Sequence, residues 1–220
     1  MNHTLLVSLE PKDGVLDTVI VRETINSMID DLMALLPAPT ALGSDERRGI
    51  IARYSAVLEG NFIYWMTAAL LAVKSEEARP ILLDNLYEEV RDSHPDMLRR
   101  FTLSAHAFPT DKDSLAVHEE LTKVRLFLGR LSAVQSVLTM AFFEGFIQRF
   151  MAFLAELAAL EGSSEMEYTD VHGVCDIEHT DGLFRALAIE MAVDPPEPSV
   201  DPFEGVYLLR NLMVKVIFNQ

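Results

Sequence analysis

Residues 168–184 read YTDVHGVCDIEHTDGLF and set His172, Asp176 and His179 at offsets of four and three. At about 100° per residue, an α-helix confines side chains at those offsets to an arc of roughly 60°. Two imidazoles and a carboxylate so confined form a ligand set if they face inward and a chance cluster if they face water. The same helical period, with almost no period-two alternation, runs through most of the chain and predicts an all-α fold.

Working outward from that stretch, the periodicity places helices at 17–36, 45–73, 80–93, 95–106, 114–129, 131–161, 166–179, 181–192 and 204–218. One domain over 1–220 is expected, with a loose N-terminus at 1–16. PAPTALGS at 37–44 breaks the first two helices, and its Ser44 is expected to cap the second. The proline-rich 194–204 reads as a linker to a final apolar helix, which must dock on the body to keep its Leu, Val, Met and Ile residues out of water.

Bulk properties limit what the chain can do. Half of its 220 residues are hydrophobic and about a quarter charged, enough for a sizeable core. With 34 acidic against 18 basic residues, its net charge of -16 argues against nucleic acid or anionic lipid as partners. The longest uninterrupted apolar runs, near Phe62–Val73 and Phe150–Leu160, fall short of the roughly 20 residues of a membrane span. The N-terminal residues lack the pattern of an export signal, and the single cysteine, Cys175, excludes an internal disulfide. A reducing cytoplasm is the expected location.

Three further ionisable residues stand at interior positions. Glu144 lies within MAFFEGFIQRFMAFLAEL, where an unpaired carboxylate would cost several kcal/mol. In ILLDNLYEEVRDSHPDML, the residues Leu82, Asn85, Leu86 and Glu89 share the apolar stripe, whereas Glu88 projects to one side. His94 follows Glu89 by five residues, about 140° away on an unbroken helix, so a shared role needs a distorted turn; Pro95 makes one expected. Mixed imidazole and carboxylate donors suit iron, manganese or zinc. Six such side chains are too many for one ion that must also meet a substrate, and two ions sharing carboxylates are the simpler count.

NLYEEVRDSHP with Asn85, Leu86, Glu89 and His94, FFEGF with Glu144, and the His172, Asp176, His179 triplet together resemble the haem-oxygenase-like di-iron oxidases and oxygenases. Their fold relatives are the thiaminase II and pyrroloquinoline-quinone synthase groups. The resemblance covers roughly 45–190 and implies a helical bundle of about seven to nine helices. It also implies that Glu89, His94, Glu144, His172, Asp176 and His179 hold two Fe(II) ions. Such a centre reduces dioxygen to a bridged peroxide and is reset by an external reductant. Many relatives carry extra residues before the histidine, where this chain has only VRDS, so Glu88 stays open as the alternative to Glu89. Some relatives add a seventh ligand from the preceding long helix, where this sequence offers Glu59.

The resemblance implies substrates that are small amines, amino acids or fatty acids. A small amine or amino-acid-derived substrate, undergoing N-oxygenation or oxidative carbon–carbon cleavage or desaturation, is the first expectation because Glu59 could hold an ammonium group. Arg149 or Arg185 could fix a carboxylate, with Phe142, Phe143, Phe146 and Trp65 as an apolar lining. The rivals are a fatty-acid decarboxylase of the same family, a cofactor-free thiaminase-like enzyme and a non-catalytic helical binding protein. Homodimers are common in the resembling family, so a second copy is the expected protein partner. His3, His106 and His118 are assigned no role, and Cys175 is expected to pack as a small apolar group.

Overall fold

The computed structural model describes residues 17–219. The stretch expected to be loose, 1–16, lies outside the described residues, as does His3. Among the described residues there are nine α-helices and no strand: α1 Thr18–Met33, α2 Ser44–Leu58, α3 Asn61–Ala72, α4 Arg79–Arg91, α5 His94–Ser104, α6 Asp111–Leu128, α7 Ala133–Leu160, α8 Glu167–Val193 and α9 Glu204–Phe218. The expected all-α architecture is what the chain adopts.

Local chemistry sets several helix starts. Asp17 accepts the Val19 N–H at 2.8 Å to cap α1, and Thr110 with Asp113 forms a capping box on α6. The predicted Ser44 cap on α2 is not formed. Gly43 occupies that position, Glu46 accepts its N–H at 2.7 Å, and Ser44 donates instead to Glu161 at 2.6 Å.

Two helix boundaries differ from the sequence reading, and both involve glycine. The stretch read as one helix over 45–73 breaks at Gly60, whose φ of 76° takes the chain out of α2 and into α3. The stretches read as separate helices at 166–179 and 181–192 form one helix, α8, because Gly182 keeps helical geometry with its α-carbon close against Ile81 of α4. A glycine permits either outcome, and tertiary packing decides between them.

The core is built around α7, which packs along α8 and also touches α1, α2, α3, α5 and α9. Phe142, Phe143, Phe146 and Phe150 of α7 are fully buried, as are Tyr54 and Trp65. Burying an aromatic of this size contributes about 1.5–3 kcal/mol. By length and composition α7 could cross a membrane, which the short apolar runs did not suggest; 83% of its most apolar window is buried within the bundle. After residues 194–203, α9 docks on α6 and α7 and buries Val206, Leu209, Leu212, Met213 and Val216.

Glu190 near the end of α8 is fully buried and fixes the chain just before α4, accepting the Lys74 N–H at 2.9 Å and the Ser75 N–H at 3.0 Å. The contact anchors the chain at the approach to α4, the helix that carries Glu88 and Glu89. We expect Glu190→Ala to lower unfolding free energy by roughly 2–4 kcal/mol, since two backbone donors lose their acceptor. Urea denaturation measures this, and an unchanged midpoint would contradict the assigned role.

Candidate metal centre

The polar residues of the core collect where α4, the start of α5, α7 and α8 meet. Glu89, His94, Glu144, His172 and Asp176 are all at most 4% exposed, although they come from four helices. His94 reaches this point because the chain turns at Asp92–Ser93, with Ser93 at a φ of 58°. That turn, one residue earlier than Pro95 suggested, removes the 140° separation of a continuous helix. His94 Nδ1 then lies 2.8 Å from Glu89 Oε1.

Two groups of donors result. In the first, ligand atoms of Glu89, His94 and His172 lie within 4.8 Å of one another, with His172 Nε2 3.8 Å from Glu89 Oε1. In the second, His179 Nδ1 lies 3.7 Å from Asp176 Oδ1 and 4.0 Å from Glu144 Oε2. Donors about 2.1 Å from a common ion stand about 3.0 Å apart at right angles and about 3.4 Å apart at the tetrahedral angle. Separations of 3.7–4.0 Å exceed that range and the 2.8 Å one falls below it, so side chains in both groups would have to adjust to hold an ion.

The orphaned atoms point the same way. Asp176 Oδ2 and His179 Nδ1 are buried without a hydrogen-bond partner, a costly state that a cation would relieve. The donor set of imidazole and carboxylate fits iron. His172 Nδ1 donates to the Tyr168 carbonyl at 2.8 Å, which leaves Nε2 as the free donor facing Glu89. Asn85 Nδ2 donates to Glu144 Oε1 at 3.1 Å and holds that carboxylate in place.

Neither Asn85 nor Tyr168 was picked out as a site residue in the sequence, though each precedes a site residue on its own helix by four, Asn85 before Glu89 and Tyr168 before His172. That i, i+4 offset was the available signal. Tyr168 also hydrogen-bonds Tyr54 hydroxyl to hydroxyl at 2.9 Å and packs its ring against the His172 ring, with centroids 4.3 Å apart.

Other expected contacts are not made. Glu88 does not join either group; its Oε2 lies 3.0 Å from His179 Nε2, because α4 turns it sideways from the stripe that carries Glu89. Glu59, at the α2 terminus, lines the cavity beside the site, but its carboxylate pairs with Arg99 at 2.6 Å. Arg149 points outward and pairs with Asp30, and Arg185 lies in a surface groove with Arg22 and Asp181. Both arginines sit on outer helix faces and do not serve the centre. Phe142, Phe143, Phe146 and Trp65 pack into the core, while Leu58, Phe62, Ile63, Leu98 and Ile147 supply the apolar wall of a cavity of about 20 Å³.

Burial and neighbouring charge divide the protons unevenly. Burial pushes the Glu89 carboxyl up, but His172 and His94 more than reverse this and hold it at about 2. Glu144 is held well above the usual carboxylate range by burial and then by Asp176. Burial pulls His179 down, yet Asp176, Glu144 and Glu88 overcome it and raise it to about 10. Burial, reinforced by Asp176, also pushes the Cys175 thiol up; its Sγ lies 3.3 Å from Asp176 Oδ1, where it serves as a donor.

The family model described as iron-containing redox enzyme matches residues 52–212, which contain every residue of both donor groups. No curated protein matches the chain.

Metal loading should therefore release protons. His179, raised to about 10, holds its proton in the ion-free protein at neutral pH, burial and Asp176 make Glu144 harder to ionise, and ligation requires both bare. Affinity for a divalent ion should rise with pH below about 10, the value for His179. Calorimetry in buffers of different ionisation enthalpy should show net proton release, and loading without it would contradict this assignment.

Proposed function

We propose that this chain, which belongs to the haem-oxygenase-like family of iron-containing redox enzymes, is a two-iron, dioxygen-dependent oxidase or oxygenase acting on a small amine or amino-acid-derived molecule. The observation that carries the proposal is the pair of orphaned atoms, Asp176 Oδ2 and His179 Nδ1, buried opposite Glu144 and next to a second group of Glu89, His94 and His172. A helical binding protein with ordinary core histidines has no reason to keep such atoms unpartnered in a dry interior.

Two ferrous ions held there would supply the electrons that activate dioxygen, with an external reductant restoring them. The residues do the rest. His172 presents Nε2 because Tyr168 occupies Nδ1, and Asn85 keeps Glu144 aimed inward. Leu58, Phe62, Ile63, Leu98 and Ile147 exclude bulk water from the adjoining space.

Glu59 lines that space and offers a carboxylate to an ammonium group. An incoming ammonium group would have to displace Arg99, which holds this carboxylate at 2.6 Å. A cavity of about 20 Å³ has room for little more than a water, so any organic substrate requires the site to widen. The raised thiol of Cys175 does not favour a cofactor-free enzyme with a cysteine nucleophile.

Anaerobic titration with Fe(II) should saturate near two ions per chain, and oxygen exposure should then produce a transient visible absorption. His172→Ala and Asp176→Ala should each lower the stoichiometry toward one ion with unchanged helical circular dichroism. Absence of iron uptake by the wild-type chain would remove this reading.

A further inference from the structure

We propose that Glu88 is a positioning residue that selects which nitrogen of His179 faces the second donor group; this rests on the two-ion reading above. The two α8 histidines are oriented by unlike means. His172 is held by a main-chain oxygen, the Tyr168 carbonyl one helical turn earlier, at 2.8 Å. His179 is held by the Glu88 carboxylate of α4, at 3.0 Å from Nε2. A carboxylate only accepts at neutral pH, so Nε2 carries the proton. Nδ1 is then the nitrogen available to a cation, and it is this atom that is buried and unpartnered, 3.7 Å from Asp176 and 4.0 Å from Glu144.

The same contact separates the roles of the two adjacent glutamates. Glu89 is buried among the imidazoles of His94 and His172, whereas the Glu88 side chain is 42% exposed and reaches the centre only through the outer edge of His179. His172 of the first group is therefore oriented by backbone that no substitution removes. His179 of the second group depends instead on a single half-exposed side chain from a different helix. The second group should be the more weakly held of the two and the more easily altered without unfolding the chain.

The test uses the full-length chain stripped of metal and titrated with Zn(II), which is redox-silent and takes the same donors. Wild type should bind two ions, and in the loaded protein long-range proton–nitrogen spectra should show His179 protonated at Nε2 and ligated at Nδ1. Glu88→Ala should weaken one of the two binding steps by about 10- to 100-fold and leave the other unchanged. Its His179 signals should become a mixture of tautomers. Glu88→Gln, whose side-chain carbonyl still accepts the Nε2 proton, should recover most of the lost affinity and restore the single tautomer; a purely structural role would not produce that rescue. Wild-type loading of two ions with Glu88→Ala binding both equally well, or His179 ligated through Nε2, overturns the assignment alone. A wild-type chain that takes up fewer than two ions overturns the two-ion reading and the assignment with it.

Discussion

The structure turns on charge placed where water cannot reach it. Glu89, Glu144 and Asp176 are carboxylates inside a core of aromatic and aliphatic side chains, and His94, His172 and His179 are packed against them. Carboxylates so buried must be neutralised by protons or by cations. In the ion-free protein the His179 imidazolium does part of that work, and burial with Asp176 holds Glu144 well above the usual carboxylate range. A divalent ion would replace such protons and would satisfy the atoms they leave unpartnered.

The rest of the bundle is arranged to hold that cluster. The central helix α7 brings Glu144 in on its otherwise apolar length, and α8 packs along it, presenting His172, Asp176 and His179 from one face. The turn at Asp92–Ser93 delivers His94 to the same point as Glu89. Contacts one step further out keep each donor in its orientation: the Tyr168 carbonyl for His172, Asn85 for Glu144, and Glu190 for the approach of α4. None of these is replaceable by generic hydrophobic packing, since each satisfies a specific buried donor or acceptor.

Much of this was legible in the sequence because helical spacing is a strong constraint. Offsets of four and three placed His172, Asp176 and His179 together, and the apolar stripe through Leu82, Asn85 and Leu86 pointed to Glu89 rather than Glu88. The partnership of Glu88 with His179 was not legible, because it joins residues 91 apart on different helices. The break at Gly60 and the continuity through Gly182 were missed for a shared reason: glycine allows either conformation, and the neighbours that choose are distant in sequence. Arg149 and Arg185 were misread because helical period says which residues share a face, and not which face turns toward the centre.

The central claim is that two separate donor groups, both buried, each hold one iron. Anomalous diffraction at the iron edge from anaerobically loaded crystals addresses it directly. The account predicts two peaks: one about 2.1 Å from donors of Glu89, His94 and His172, and one at a similar distance from Asp176, Glu144 and His179 Nδ1. A single peak, or iron bound outside these groups, would contradict it.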